Sequence, residues 1–307
     1  MAKKIKDPGL GNTSSPYAKR MVNSDGTFNV IHLNKSVQLR EAYNYLVRLS
    51  WFHFFTLAFF TYLVLNAFFA IIYVLIGIEE ISKPSGDLFH DFLNALFFSS
   101  QTITTLGYGA MSPTGVGSGI VSSIEALIGL LLFSFITGLL YGRFSKPKAS
   151  IRFSDAIILR DFDLTKAIMF RLVNNRKSIM IKPKVSVTLS LSEENNKGEF
   201  KNTFYALQLE RENIRYLPTT WTIVHEIDEN SPFYNFSKEE INKLTGELLV
   251  MISYYDDSFN QEVHQLHSYI LNDIKIDYKF TMAYYYNKEG KMVLDHKLLN
   301  CIESIKS

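Results

Sequence analysis

The chain has 307 residues, of which 47% are hydrophobic, 14% aromatic and 20% charged, with a net charge of +2 at pH 7. That length allows two domains of ordinary size, and the near-neutral total argues against a nucleic-acid partner. A single cysteine, Cys301, rules out an intrachain disulfide framework and suits a reducing compartment for the C-terminal part.

Residues 1–35 form a polar, basic N-terminal segment containing Pro8, Gly9, Gly11 and Pro16, and its composition predicts disorder at the start. No apolar run follows the first lysines closely, so no cleaved signal peptide is expected. Asn23-Ser24-Asp25-Gly26 signals a turn, and Thr27 to Leu33 a short strand. Residues 36–49 read as an amphipathic helix lying on a membrane surface. Val37, Leu39, Tyr43, Leu46 and Val47 fall mostly at helical spacing there, among Arg40, Glu41 and Arg48.

Residues 50–145 carry the membrane signals. Phe54 to Ile76 holds no charged residue, which predicts a first span over about 51–77 with Trp51 and Tyr73 as interfacial anchors. Ile120 to Tyr141, interrupted only by Glu125, predicts a second span over about 117–144. Between them, Glu79 to Thr114 is too polar to span. Within it a Phe-rich helix is predicted over about 88–103, with Ser85 or Asp87 as its cap. It is too short for a third crossing and reads as re-entrant. Its negative C-terminal end would favour a cation at the membrane centre.

Thr104-Thr105-Leu106-Gly107-Tyr108-Gly109 follows that helix. Main-chain carbonyls can replace the water shell of K⁺ only where the chain is extended and tolerates unusual φ/ψ, which Gly107 and Gly109 supply. Potassium-channel filters are the known case of this arrangement. Thr105, Leu106, Gly107, Tyr108 and Gly109 are therefore the predicted selectivity filter. The oxygens of Thr105, Leu106, Gly107 and Tyr108 would coordinate K⁺, the permeant ligand. The bland alternative, a structural turn, does not need a re-entrant helix between two spans. Irregular backbone survives at membrane depth only when buried in protein or lining a water-filled path.

Charge sets the expected orientation. Residues 1–50 carry eight Lys/Arg and the second span is followed by Arg143, Lys146 and Lys148, whereas the loop from 77 to 119 has only Lys83. Both termini are thus expected in the cytoplasm of a multi-pass protein of the cell (inner) membrane. From 146 to 307 the pattern is that of a soluble β domain. Val185 to Ser192 alternates strictly, and Ile157 to Leu172, Trp221 to Ile227, Glu247 to Tyr255 and Lys275 to Tyr286 are further strand candidates. Turns are expected at Asn195-Asn196-Lys197-Gly198 and Asn287-Lys288-Glu289-Gly290, and the many short strands suggest a β-sandwich.

The sequence resembles the prokaryotic inward-rectifier potassium channels of the KirBac type over nearly all of the chain from about residue 23. Beside the filter, the resemblance rests on Arg143-Phe144-Ser145-Lys146-Pro147, on Asn174-Asn175-Arg176-Lys177-Ser178, and on the block from Trp221 to Pro232, which contains His225-Glu226-Ile227-Asp228-Glu229-Asn230-Ser231. It implies a homotetramer, a slide helix at the membrane surface and an immunoglobulin-like cytoplasmic assembly that extends the pore. It also implies regulation by phosphoinositide or another anionic lipid, with Arg48, Arg143, Lys146, Lys148, Arg176 and Lys177 as the headgroup cations.

Several positions depart from the animal members of that family. Gln101 and Met111 stand where those pair an acid with an arginine around the filter, so Gln101 and Glu125 are assigned to filter support. Phe133 replaces the acid that traps blocking polyamines, and Lys182 replaces one vestibule acid while Asp257 keeps another in the cytoplasmic pore. Weak rectification is the expectation. Phe133, Thr137 and Tyr141 recur at i, i+4 and i+8 and so share a helix face. That face is read as pore lining with Tyr141 as the inner gate, against the plainer reading of helix or lipid packing. Gly129 and Gly138 are hinge candidates, with close packing as the alternative.

Other patterns carry no chemistry. Gly115-Val116-Gly117-Ser118-Gly119 lacks the dinucleotide spacing, and His225-Glu226-Ile227-Asp228 lacks the second histidine of a zinc-protease helix. His264 and His267 suit a core or surface role better than a metal. No enzyme and no cofactor is expected. The rivals are a poorly selective cation channel, and a membrane-anchored sensor whose β domain binds a ligand.

Overall fold

The structure, a computed structural model, describes residues 3–15, 20–23, 26–34, 39–145, 149–176, 179–194 and 198–305. The chain divides into two compact units, one of residues 34–146 and one of residues 1–33 with 147–307.

The first unit is helical. α1 (Leu39–Arg48) is followed by α2 (Trp51–Ile76), whose first turn is capped by the Ser50 hydroxyl accepting from the His53 amide at 3.3 Å. The part of the predicted interfacial helix before Leu39 lies outside the described residues. Gly77, at φ +128°, ends α2 in a conformation open to glycine. α3 (Leu88–Ile103) starts at Asp87, whose carboxylate accepts from the Phe89 amide at 3.4 Å, while Ser85 contacts Asp91 instead. At 16 residues α3 is about 24 Å long and stops short of a hydrocarbon core about 30 Å thick. α4 (Val116–Phe144) has 29 residues, and α2 and α4 are both long and apolar enough to cross a membrane.

α3 packs its Ala95 and Phe98 against Phe69, Ala70 and Tyr73 of α2. Val47 of α1 packs with Phe54 and Leu139. Most of α2 and α4 stays uncovered within the chain, including Phe60, Val64 and Leu75 on one and Leu127, Leu131 and Phe135 on the other. A helix at the heart of a soluble domain would bury such residues.

The second unit holds short strands: β1 (Lys4–Ile5), β2 (Ile151–Phe153), β3 (Ile158–Phe162), β4 (Thr165–Asn174), β5 (Met180–Glu194), β6 (Phe200–Leu207) and β7 (Thr220–Glu226). They continue with β8 (Gly246–Asp256), β9 (Gln261–Ile270), β10 (Lys275–Ile276), β11 (Tyr278–Phe280), β12 (Tyr284–Tyr286), β13 (Met292–Leu294) and β14 (Ile302–Ser304). One sheet runs β1-β6-β5-β8-β9; the other runs β10-β3-β4, with β2 and β7 also paired to β4. The core lies between them. Val185, Val187 and Leu189 of β5 and Leu248, Val250 and Ile252 of β8 meet Ile168, Phe170 and Leu172 of β4 and Trp221 and Ile223 of β7. Lys184 and Ser186 point to solvent, as the alternation along β5 requires.

Four expectations change. Ile157 to Leu172 is a hairpin and not one strand, because Asp163 takes φ +48° and turns the chain between β3 and β4. Lys275 to Tyr286 breaks into β10, β11 and β12, with Asp277 at φ +61° at the first break. The described part of the N-terminal segment is held rather than loose: β1 pairs with β6, and the Glu247 carboxylate accepts from the Met21 amide at 2.7 Å. Within Thr27 to Leu33 only Phe28 makes a bridge, to Val22, and Ile31 and Leu33 stay exposed. Paired backbone groups on β6 and a buried carboxylate supply the order that composition could not foresee.

His225 of β7 is buried, with Nδ1 2.7 Å from the Gln208 carbonyl and Nε2 2.9 Å from the Ser231 hydroxyl. The carbonyl can only accept, so Nδ1 carries the proton and Nε2 accepts from Ser231. Burial pushes the ring's pKa below its ordinary 6.5. The unfolded chain therefore binds this proton first, and the stability is present above pH 6.5 and lost as pH falls below it. Melting of the detergent-solubilised protein at pH 7.5 and 5.5 should show a lower temperature at acid pH. A His225→Gln variant should lose much of that slope, whatever its absolute stability.

Candidate functional site: the re-entrant loop and its supports

The loop after α3 is tied to the helix it leaves. The Gln101 carbonyl accepts from the Leu106 amide at 2.8 Å and from the Gly107 amide at 3.4 Å, and the Thr102 carbonyl accepts from the Thr105 amide at 3.0 Å. These bonds use carbonyls that a helix end leaves without partners. Thr105, Gly107 and Gly109 take positive φ, +56°, +52° and +81°. A Cβ on Gly107 or Gly109 would touch nothing in the chain, so backbone conformation is what demands glycine there. Leu106 and Tyr108 are exposed.

Behind the loop lies a buried polar cluster. Glu125 of α4 is fully buried, and its carboxylate accepts from the Tyr73 hydroxyl at 2.7 Å and the Ser99 hydroxyl at 2.5 Å. Asn66 Oδ1 lies 3.2 Å from the same Ser99 oxygen. The cluster thus joins α2, α3 and α4 in one network. Tyr73 was expected at the membrane interface; it is fully buried, because Phe98 closes on its ring at 5.0 Å and Glu125 takes its hydroxyl. Glu80 makes a second support at the start of α4, where its carboxylate accepts from the Ser118 amide at 2.9 Å and its carbonyl from the Thr114 amide at 2.8 Å.

Farther along α4, Phe133, Thr137 and Tyr141 are all exposed on one face. Gly129 packs closely on its neighbour: a Cβ there would lie 2.1 Å from the Ile103 carbonyl oxygen. It is the seat on which the end of α3 rests, and only a hydrogen in place of a side chain leaves that room. Gly138 meets nothing within the chain.

Residues 151–307 match the family model described as the inward rectifier potassium channel C-terminal domain, and residues 59–146 match the ion channel model. The sequence is 33% identical to the inward rectifier potassium channel Kirbac3.1 of Paramagnetospirillum magnetotacticum, covering 93% of this chain and 96% of that one. The chain belongs to the inward rectifier potassium channel family. It is also 27% identical to the G protein-activated inward rectifier potassium channel 2 of mouse and of human, over 86% of this chain and 67% of each relative. The family accounts for the order of elements: a pore domain with two apolar helices, then an all-β sandwich.

In this inward rectifier the described cations named from sequence have different surroundings. Arg143 donates through Nη1 to the Leu46 and Val47 carbonyls at 2.9 and 3.2 Å, and through Nη2 to the Leu49 carbonyl at 2.6 Å. Its guanidinium also lies 4.5 Å from the Trp51 ring and 4.7 Å from that of Phe54. It closes the C-terminal end of α1, where a cation is favoured. Arg48 is exposed, and Arg176 lies 5.2 Å from the Phe259 ring in the β unit. Lys146, Lys148 and Lys177 lie outside the described residues. Lys182 and Asp257 are both exposed, the first at a bulge in β5 and the second in the β8–β9 turn. His264 and His267 stand on β9, where an odd spacing places them on opposite faces; His267 stacks on Phe153 at 4.5 Å. No group of metal-binding side chains occurs among the described residues.

Sequence reasoning missed Asn66, Ser99 and Glu80, since a lone serine or asparagine in an apolar helix gives no sign of its partner. The only hint was that an ionisable residue such as Glu125 inside a span needs one. The two glycines of α4 make the sharpest test. Gly129→Ala should cost at least about 1–3 kcal/mol through overpacking and lower the melting temperature by several degrees. Gly138→Ala, with no neighbour in the chain, should leave melting of the solubilised protein nearly unchanged.

Proposed function

We propose that four copies of this chain surround one axis and pass K⁺ passively down its gradient. The main-chain oxygens of Thr105, Leu106, Gly107 and Tyr108 would stand in for the ion's hydration. The observation that carries this reading is the loop itself: alternate residues at positive φ, fastened to the end of a half-length helix between two spans. The negative end of α3 favours a cation beside it. A loop of one subunit encloses nothing, so ring closure by further copies is part of the proposal.

In this reading the exposed face of Phe133, Thr137 and Tyr141 lines the inner pore, and Tyr141 forms its constriction. Phe133 offers no carboxylate to hold a polyamine, so rectification is weak. Both termini lie in the cytoplasm by the positive-inside rule. Anionic lipid, phosphoinositide among the candidates, would act through the exposed Arg48 and through Lys146, Lys148, Arg176 and Lys177, each worth about 1 kcal/mol near a charged surface. Arg143 would act indirectly. It fastens α1 to α4, so a displacement of α1 along the membrane surface is felt at the turn that carries Tyr141. Gating by the cytoplasmic domain would reach the pore by the same route.

Rubidium-86 uptake into proteoliposomes tests the pore. Uptake should be blocked by barium, poorly competed by sodium, and abolished by Gly107→Asp; equal flux of sodium would defeat selectivity. Internal spermine at low concentration should give only shallow voltage-dependent block. Arg48→Gln should shift the dependence of flux on anionic-lipid content by about fivefold, the equivalent of about 1 kcal/mol.

A further inference from the structure

The β unit buries positive charge with little of the opposite sign beside it. Along β4, Ile168, Phe170 and Leu172 enter the core between the sheets, while Ala167 and Met169 face the other way with Ile158 of β3 and Val224 of β7. Tyr278 and Phe280 of β11 and Ile302 of β14 cover that outer face. The cover leaves a cavity of about 280 Å³ lined by Arg160, Arg171, Thr222, Lys279 and Phe280, among others.

Arg171 is only 7% exposed. Its Nη1 donates to the Thr281 carbonyl at 2.7 Å, its Nε to the Thr222 hydroxyl at 3.4 Å, and its guanidinium lies 4.6 Å from the Phe280 ring. All of these partners are neutral. Among the described residues no carboxylate pairs with Arg171 or with Arg160, and the buried Arg160 Nε has no hydrogen-bond partner. Lys279 reaches one acid, Glu303, at 3.6 Å, and both side chains are half exposed. Three cations therefore meet one distant carboxylate. A buried charge without a counter-charge is costly, and neutral dipoles repay only part of that cost. Burial pulls the Arg171 pKa below the ordinary arginine value, as such a cost requires. The contrast within this chain is Lys238, less sheltered yet held between Asp161 at 2.8 Å and Asp277 at 2.6 Å.

We propose that this cavity binds a small oxyanion of the phosphate class, either inorganic phosphate or the phosphoryl group of a larger molecule. Two guanidinium groups present forked donors that match phosphate oxygens, and the lysine adds a point charge at the rim. The site uses none of the filter residues and none of the cations assigned to lipid. Because Lys279 and Phe280 belong to β11, an anion held against Arg160 and Arg171 fastens β11 to β3 and β4. The ligand thus stabilises the C-terminal cover of the sandwich.

The test uses the full-length protein in detergent and reads binding, which does not depend on conduction. Inorganic phosphate, added at constant ionic strength against chloride, should raise the melting temperature in a saturable way. The Arg160→Gln/Lys279→Gln double variant, which alters only partly exposed groups, should move the half-saturating phosphate concentration at least about tenfold higher, as expected for lost charge-assisted hydrogen bonds. Arg171→Met should abolish the effect, if it folds. Soaked crystals should show tungstate in the cavity. To separate the sources, rubidium flux is compared in pure phosphatidylcholine vesicles with internal phosphate and in vesicles containing phosphoinositide. A response that the double variant loses in the first assigns the site to soluble phosphate, and one lost only in the second to a lipid headgroup. A melting shift no larger than that of chloride, an unchanged dose curve in the double variant, or a carboxylate of a second copy in place of tungstate would each overturn the proposal.

Discussion

Non-helical main chain at membrane depth has no water to satisfy it, so each polar group must find a partner in the protein or face an aqueous path. In this chain the burden falls on the end of α3. The Gln101 carbonyl takes two amides of the loop, and the loop continues with its side chains exposed and its glycines at positive φ. Three further contacts hold the helices around that end. Gly129 lets α4 touch the Ile103 carbonyl, Glu125 draws Tyr73 and Ser99 together behind it, and Glu80 anchors the start of α4.

Glu125 illustrates why a carboxylate can be kept inside a span. Two hydroxyl donors from different helices converge on it, so the group that would otherwise destabilise the membrane unit becomes its common fastening. The same rule, that a buried charge needs partners, sorts the arginines. Arg143 takes three carbonyls at the end of α1 and two aromatic faces; Arg171 takes one carbonyl, one hydroxyl and one ring. The first sits at the negative end of a helix, whose dipole favours its charge, with only its Nε left without a partner. The second sits on a sheet, which offers almost no dipole, and is left wanting an anion.

The two units are stabilised by different means. In the helical unit much of the apolar surface faces outward, and small residues and a polar cluster decide how the helices meet. In the β unit the core is continuous between two sheets, and strand register carries the order, including an N-terminal strand that extends one sheet. His225 and Glu247 show that even there a few buried polar groups, each fully partnered, hold loops and termini to the sheets.

The apolar runs, the half-length helix between them and the glycines of the loop were legible from residue order, because membrane thickness and φ act on local sequence. The alternation of Val185 to Ser192 likewise revealed a face-on strand without any knowledge of its neighbours. What folding in three dimensions decided was partnership: that Tyr73 turns inward to Glu125, that Gly129 seats the Ile103 carbonyl, that Arg143 closes α1, and that Arg171 has no carboxylate beside it. Each of these joins residues tens of positions or more apart, and no periodicity of 2 or 3.6 encodes which distant group a buried donor will meet.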